Sequence, residues 1–241
     1  MKKTIIGFIC LALIYTFGVY ILPRTPVATL LKNSVTWLDN GFISQTFFLV
    51  SSLIIMAILG KGTFSGFGFK TVRLKPFARS VLVSILIAVA MFIAFIFAMS
   101  ILAGAGGGPG KSEGNGPAMS GFLQTILFVW IYASLCEEIL YRGLFLRMID
   151  GLAQKSIRLG NVKIAVSVLI SGLLFGLGHL CLLPIMPLPM VVFIIINASV
   201  LGIIAGYYRA ATGSIIPAIA THMIFNIIGT ICPMLLAGLA K

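Results

Sequence analysis

The sequence predicts an all-α protein, a polytopic bundle of transmembrane helices, and three observations support this prediction. Of its 241 residues, 60% are hydrophobic and only 9% are charged, whereas soluble domains typically carry roughly 25% charged residues. The mean hydropathy is +1.15. The third observation is a series of about seven apolar runs, each long enough to cross the roughly 30 Å hydrocarbon core of a bilayer. An ordinary soluble globular domain is therefore excluded.

The predicted spans follow one another with short connections. They cover residues 4–22, 42–60, 80–102, 123–149, 163–183, 190–208 and 214–239. The first run follows Lys2 and Lys3 and has no small-residue cleavage site before Arg24, which favours an uncleaved first helix over a signal peptide.

The distribution of basic residues predicts the orientation in the membrane. If the N-terminus is inside, twelve of the seventeen Lys and Arg residues fall in inside segments and four in outside segments. Because inside loops are enriched in Lys and Arg, this distribution favours an inside N-terminus. The net charge of +12 is spread over short loops, so nucleic acid is not an expected partner. We expect a multi-pass protein of a bacterial plasma membrane, in contact with the lipid bilayer.

The chain divides into three predicted parts. Residues 1–102 form an N-terminal part with three spans. Residues 103–120 are rich in glycine and too poor in apolar side chains to pack, which predicts a flexible external loop. Residues 121–241 form a four-span core that contains every polar group of interest, and this core is the predicted catalytic part.

Two adjacent acids, Glu137 and Glu138, lie inside an apolar run, although the chain has only five acidic residues. Ionisable residues at membrane depth are costly and usually functional. In a helix, Glu138 and Arg142 are four residues apart and share a face, which predicts a buried ion pair with a structural role. Glu137 points about 100° away and has no cation on its own face, which favours a chemical role.

The only two histidines, His179 and His222, lie in other apolar runs. Phe175 precedes His179 by one helical turn. Such a histidine is usually a packing residue, but the presence of Glu137 favours a functional one. His222 and Asn226 are also one turn apart, and this pair either stabilises a developing oxyanion or bonds a neighbouring helix. Glu137, His179 and His222 can all lie within roughly 10 Å of one plane, so helix geometry allows them to share a polar cavity.

Three spaced motifs on three predicted helices resemble, in type and order, the signature of the CPBP/Abi family. The motifs are Glu137-Glu138-x-x-x-Arg142, Phe175-x-x-x-His179 and His222-x-x-x-Asn226. The family comprises type II CAAX prenyl endopeptidases and bacteriocin-processing relatives. The resemblance covers residues 121–230 and implies a helical intramembrane protease.

The resemblance also implies a role for each motif residue. Glu137 would be the general base that activates water, and His179 would help to hold this water. His222 and Asn226 would bind the carbonyl oxygen as it becomes an oxyanion. The residues that would support the site are Glu138, Arg142 and Phe175.

The cofactor is unknown at this stage. A glutamate–water mechanism needs none, whereas two histidines and a carboxylate are acceptable zinc ligands. The candidate metal ligands are Glu137, His179 and His222. They would come from three helices rather than from one HExxH helix, so the spacing favours direct glutamate–water chemistry.

The sequence therefore predicts an intramembrane endopeptidase that cleaves a peptide or protein substrate near the cytoplasmic leaflet or the bilayer midplane. One alternative is a proton-coupled transporter in which Glu137 and His179 form a relay, although no internal repeat of the kind found in many transporters is evident. The other alternative is a non-catalytic membrane scaffold or immunity protein.

Overall fold

A computed structural model shows a bundle of helices with one small β-hairpin in its described part. The residues it describes are 2–35, 37–104, 119–152 and 154–239. Within these residues, six helices are long and apolar enough to cross a membrane. The prediction of an all-α polytopic protein is therefore confirmed.

Eight helices carry the labels used below. They are α1 (Lys2–Arg24), α2 (Pro26–Ser34), α3 (Asn40–Leu59), α4 (Leu74–Gly104), α5 (Gly121–Met148), α6 (Val166–Leu182), α7 (Leu188–Thr212) and α8 (Ile216–Leu239). The two strands are β1 (Ser156–Leu159) and β2 (Val162–Ala165). Two short elements remain. The helical turn Met119–Gln124 overlaps the start of α5 and continues into it, and a 3-10 turn covers Asp150–Leu152.

Polar caps fix the boundaries of the N-terminal helices. The Thr25 hydroxyl accepts a hydrogen bond from the Ala28 amide at 3.3 Å, and a proline follows at the first position of α2. The Asp39 carboxylate accepts one from the Phe42 amide at 2.6 Å at the start of α3. Such caps satisfy amides that the helix itself leaves without partners. The chain can therefore turn sharply between α1 and α3, and both helices reach the site described below.

The predicted Gly-rich loop at residues 103–120 falls largely outside the described residues. Its first two residues belong to α4 and its last two belong to the helical turn that leads into α5. The intervening residues 105–118 are not described. The division of the chain at this loop stays a prediction.

The fifth predicted span is shorter than the apolar run suggested. β1 and β2 pair in antiparallel register with Arg158 opposite Lys163, so residues 163–165 are strand and α6 begins only at Val166. At about 1.5 Å per residue, α6 is roughly 25 Å long, slightly less than the hydrocarbon core. The number of spans, about seven from the sequence, therefore stays a prediction.

Glycines allow α6 and α7 to pack closely. A Cβ atom on Gly172 would lie 2.7 Å from the Ile203 amide nitrogen, and one on Gly176 would lie 2.5 Å from the Ile195 carbonyl oxygen. Small residues at helix contacts give close van der Waals packing, which drives helix association in membranes. This contact places the end of α6, with its histidine, against the middle of the bundle.

The core of the bundle lies around α5. Leu140, Leu144 and Phe145 are at most 1% exposed, and Met56 of α3 is completely buried. Large apolar side chains elsewhere point outward, for example Phe97 of α4, which is 70% exposed. An apolar outer surface is expected where the solvent is lipid.

The two ends of the bundle differ in charge. Lys2, Lys3 and Arg147 surround one pocket at the end where α1 begins and α3 and α5 finish. This basic end is the inside end in the orientation predicted from the sequence, and that orientation stays a prediction.

Candidate active site

The two adjacent carboxylates lie on a short α-helical segment of α5. This segment, Ser134–Glu138, is flanked by wider π-helical stretches at Thr125–Ala133 and Ile139–Phe145. π-Helical turns are rare and frequently occur at functional sites. The side chains of the two acids leave this segment in different directions, and their surroundings differ accordingly.

Glu138 belongs to an ion-pair network that is sealed from solvent. Arg142 Nη1 donates to Glu138 Oε1 at 2.9 Å, and both side chains are completely buried. His222 Nδ1 lies 3.0 Å from the same carboxylate oxygen. The Arg142 guanidinium also lies over the Phe175 ring, 4.8 Å from its centroid, which is a cation–π contact. The ion pair predicted from the four-residue spacing is therefore present.

Glu137 faces a cavity instead. Its side chain retains 16% exposure, and its Oε2 lies 3.8 Å from His222 Nε2. Gln45 Nε2 of α3 donates a hydrogen bond to its Oε1 at 2.5 Å. No Lys or Arg in the described part of the chain pairs with Glu137, as the sequence suggested.

The cavity lies between α1, α3, α5 and α6 and has a volume of about 480 Å³. The lining residues that matter for chemistry are Tyr15, Gln45, Glu137, Tyr141, Phe175 and His179. The lining continues to Arg24, Asn40 and Ile185, at the end of the bundle opposite to the basic end. In the predicted orientation, the cavity would thus open towards the outside, whereas the sequence suggested a substrate near the cytoplasmic leaflet or the midplane.

His179 lies at the end of α6 and lines the cavity together with Glu137. Its Nδ1 is 3.1 Å from the Phe175 carbonyl oxygen, which assigns the proton to Nδ1 and leaves Nε2 as an acceptor. The Phe175 ring packs edge-on against His179 and His222, with ring centroids 5.4 and 5.3 Å apart. Because Phe175 is 2% exposed, it holds the spacing of the two imidazoles.

His222 and Asn226 lie behind the cavity rather than in its lining. His222 is 4% exposed and contacts both carboxylates. Asn226 Nδ2 donates to the Val129 carbonyl oxygen and to Ser134 Oγ, both at 3.1 Å. An amide inside an apolar bundle takes the nearest acceptors because unpaired buried donors are costly. The cavity thus contains Glu137 and His179 but is not lined by His222 or Asn226, and Asn226 joins α8 to α5.

A comparison with protein families bears on these residues. Residues 119–228 match the family model of Rce1-like type II CAAX prenyl endopeptidases. The match confirms the resemblance to the CPBP family, and the Rce1-like segment contains all the motif residues. No curated protein and no solved structure matches the chain significantly. The family supports a peptidase embedded in the membrane.

The three candidate metal ligands, Glu137, His179 and His222, do not form a ligand cluster. In the described ranges, no group of three or more His, Cys, Asp or Glu side chains is close enough to hold a metal ion. The donor types of Glu137, His179 and His222 suit zinc, and His222 Nε2 lies 3.8 Å from Glu137 Oε2, but both imidazoles pack against the Phe175 ring. As they lie in the described ranges, these three residues do not fit a bound metal ion.

Two polar groups near Glu137 were not predicted from the sequence. Gln45 lies in the N-terminal part, and its position inside the apolar α3 was the available signal. Tyr141 is one turn after Glu137 on the same helix, so its place in the cavity could have been read from the spacing. Tyr15 of α1 donates a hydrogen bond to the Gly178 carbonyl oxygen and closes the cavity beside them.

Proposed function

We propose that this protein is an intramembrane endopeptidase that hydrolyses a peptide bond of a membrane-associated peptide or protein, with Glu137 as the general base. The observation that carries the proposal is the position of Glu137, which lines a cavity inside the bundle together with His179. The Rce1-like family match supports the class of reaction. The proposed location is a bacterial plasma membrane.

The proposed reaction starts with a water molecule between Glu137 and His179. Glu137 takes one proton from this water as the oxygen attacks the peptide carbonyl carbon, which gives a tetrahedral oxyanion and a protonated glutamate. The carbon–nitrogen bond then breaks, and Glu137 gives its proton to the leaving amine. The products are an amine and a carboxylic acid, which ionises, and the glutamate is regenerated. General acid–base catalysis of this kind typically contributes 10²- to 10⁴-fold.

His222 and Asn226 are proposed to stabilise the oxyanion. The Nε2 atom of His222 lies 3.8 Å from Glu137 Oε2, close to the reacting atoms, and Glu138 Oε1, 3.0 Å from Nδ1, orients the ring. Asn226 can take part by exchanging its bond to Ser134 for one to the substrate oxygen. Each such donor typically contributes a few kcal/mol to the transition state.

The supporting residues act through burial. Glu138 and Arg142 neutralise each other inside the bundle, and Phe175 packs against both imidazoles. In this proposal the three-span part, residues 1–102, and the four-span core, residues 121–241, work together, because α1 and α3 form one wall of the cavity.

The decisive experiment compares Glu137→Gln with the parent protein in proteoliposomes. A farnesylated CAAX peptide and its unprenylated counterpart serve as substrates, and mass spectrometry detects the products. We expect Glu137→Gln to lower kcat by about 10³-fold because the amide cannot accept the proton. The matched control is Asp150→Asn, which makes the same chemical change at an exposed carboxylate paired with Arg147 and should leave kcat unchanged.

The same vesicles separate the alternatives. Cleavage by Glu137→Gln at the parent rate would overturn the proposed mechanism. Pumped or leaked protons, detected with a pH-sensitive dye in vesicles that cleave neither peptide, would favour a proton-coupled transporter. A scaffold or immunity protein would cleave neither peptide and would keep its cellular activity in Glu137→Gln.

A further inference from the structure

Gln45 is the side chain that contacts the proposed base, yet it lies far from the base in sequence. It belongs to α3, outside the Rce1-like segment at residues 119–228. Its Nε2 donates to Glu137 Oε1 at 2.5 Å, a charge-assisted hydrogen bond of the strong kind. The carboxylate is therefore held by a residue from the three-span part of the chain.

The other end of the Gln45 amide lacks a partner. Its Oε1 is inaccessible to solvent, and within the described residues it accepts no hydrogen bond. A buried carbonyl oxygen without a donor destabilises a fold unless something else accounts for it. Gln45 also lines the cavity beside Glu137 and His179, although its Oε1 has no access to solvent.

Neighbouring residues of α3 already supply the contacts that hold this helix in place. Ser44 Oγ donates to the Gly18 carbonyl oxygen of α1 at 2.8 Å, and Thr46 Oγ1 is 2.8 Å from the Tyr132 hydroxyl of α5. The residues before and after Gln45 thus already join α3 to α1 and to α5 by hydrogen bonds. Gln45 is therefore not needed to join these helices, and its own hydrogen bond goes to the carboxylate.

We propose that Gln45 positions the base and, through the base, the attacking water. Its N–H group occupies Glu137 Oε1, so the proton of the water is transferred to Oε2, the oxygen that faces His222 at 3.8 Å. The second O–H group of the same water is directed to Nε2 of His179, because Gln45 Oε1 is not accessible to solvent. With both hydrogens directed, the water oxygen presents its lone pair to the peptide carbonyl carbon.

This inference rests on the proposed hydrolysis, and it assigns a function to the N-terminal part. Gln45 exchanges no proton and forms no covalent bond in the reaction, so it is a positioning residue. Its removal should affect the rate of the chemical step rather than substrate binding, because misplaced reacting groups typically lose about 10²-fold in rate.

The first test measures kcat and KM for Gln45→Met, which keeps the length and volume of the side chain but removes the donor and the acceptor. We expect kcat to fall by about 100-fold, with KM changed by less than about twofold because substrate contacts remain. The matched control is Thr46→Val, which removes the adjacent hydrogen bond to Tyr132 and should leave kcat within about twofold of the parent value.

The second test does not depend on activity. Dicyclohexylcarbodiimide modifies protonated carboxyl groups in apolar surroundings, and mass spectrometry locates the modified residue. Removing the N–H donor frees Glu137 Oε1 from its hydrogen bond, so Gln45→Met should raise the labelling rate at Glu137 at least about fivefold. Thr46→Val should not change this rate.

The outcomes separate this inference from the proposed function. An unchanged labelling rate in Gln45→Met would overturn the contact between Gln45 and Glu137. Altered labelling with an unchanged kcat, or an effect on KM alone, would overturn the positioning of water. If the parent protein cleaves no peptide, the proposed function is wrong, and so is the positioning of a catalytic water. The labelling rates still decide whether Gln45 forms a hydrogen bond with Glu137.

Discussion

The neighbouring carboxylates of Glu137 and Glu138 lie on two sides of α5 and differ in burial and in polar contacts. On the side of α7 and α8, Glu138 is completely buried and contacts Arg142 and His222. On the side of α1, α3 and α6, Glu137 lines a cavity, and its closest polar contact is with a neutral amide. A compensated charge stabilises the bundle, whereas a carboxylate without a cation remains able to accept a proton. The difference shows how one helix can carry a structural acid and a proposed catalytic acid in adjacent positions.

The largest expected effect on stability comes from removing one partner of the buried Glu138–Arg142 ion pair. Arg142→Met leaves Glu138 buried without its cation and should lower the free energy of unfolding by about 3–5 kcal/mol. Arg147→Met removes an ion pair whose side chains are 51% and 47% exposed and should lower it by at most about 1 kcal/mol. Unfolding in mixed detergent and dodecyl sulfate micelles measures both values. Equal losses in the two variants would show that the Glu138 side is not sealed.

A double variant sharpens the same comparison. Replacing both partners, with Glu138→Leu and Arg142→Met in one chain, should restore more than half of the stability lost by Arg142→Met alone, since apolar residues often replace a buried ion pair without loss. No recovery would mean that the lost stability reflects packing around Arg142 rather than an uncompensated carboxylate.

A smaller effect is expected where α7 approaches the sealed network. A Cβ atom on Gly202 would lie 2.7 Å from Arg142 Nη2 and 2.8 Å from Gly172 Cα, so Gly202→Ala should lower the free energy of unfolding by about 1–3 kcal/mol. The control is Gly229→Ala, where an added Cβ meets no atom within 4 Å. That variant should be neutral or slightly stabilising because alanine favours a helix.

The smallest expected effect on stability concerns Asn226, and it tests whether this residue only joins helices or also stabilises the oxyanion. Asn226→Ala removes its bonds to Val129 and Ser134 and should lower stability by about 1 kcal/mol. If Asn226 also donates to the oxyanion, kcat should fall by about 100-fold. Thr230→Val removes the bond from Trp130 Nε1, 3.2 Å long, which joins the same two helices, and should reduce stability alike while sparing kcat. Similar kcat values for the two variants would assign Asn226 to the structural side alone.

Much of this arrangement could be predicted from local spacing. The Glu138–Arg142 ion pair follows from residues one helical turn apart, and the close packing at Gly172 and Gly176 follows from missing side chains. The start of α6 could not be predicted in the same way, because residues 163–165 pair with β1 instead of extending the apolar helix. Pairing with another segment overrides local hydrophobicity, and a single run of residues does not reveal it.

By itself the sequence determined that the chain is a bundle of membrane helices and that its scarce ionisable groups lie inside that bundle. Composition and helical periodicity suffice for this, because burial of charge in lipid is unfavourable wherever the helices are placed. The tertiary structure decided which neighbour each polar group meets: Gln45 contacts Glu137 across 92 residues of chain, while Asn226 turns away from the cavity towards Val129. Such contacts depend on the angles and depths at which helices cross, and these are set by packing between segments.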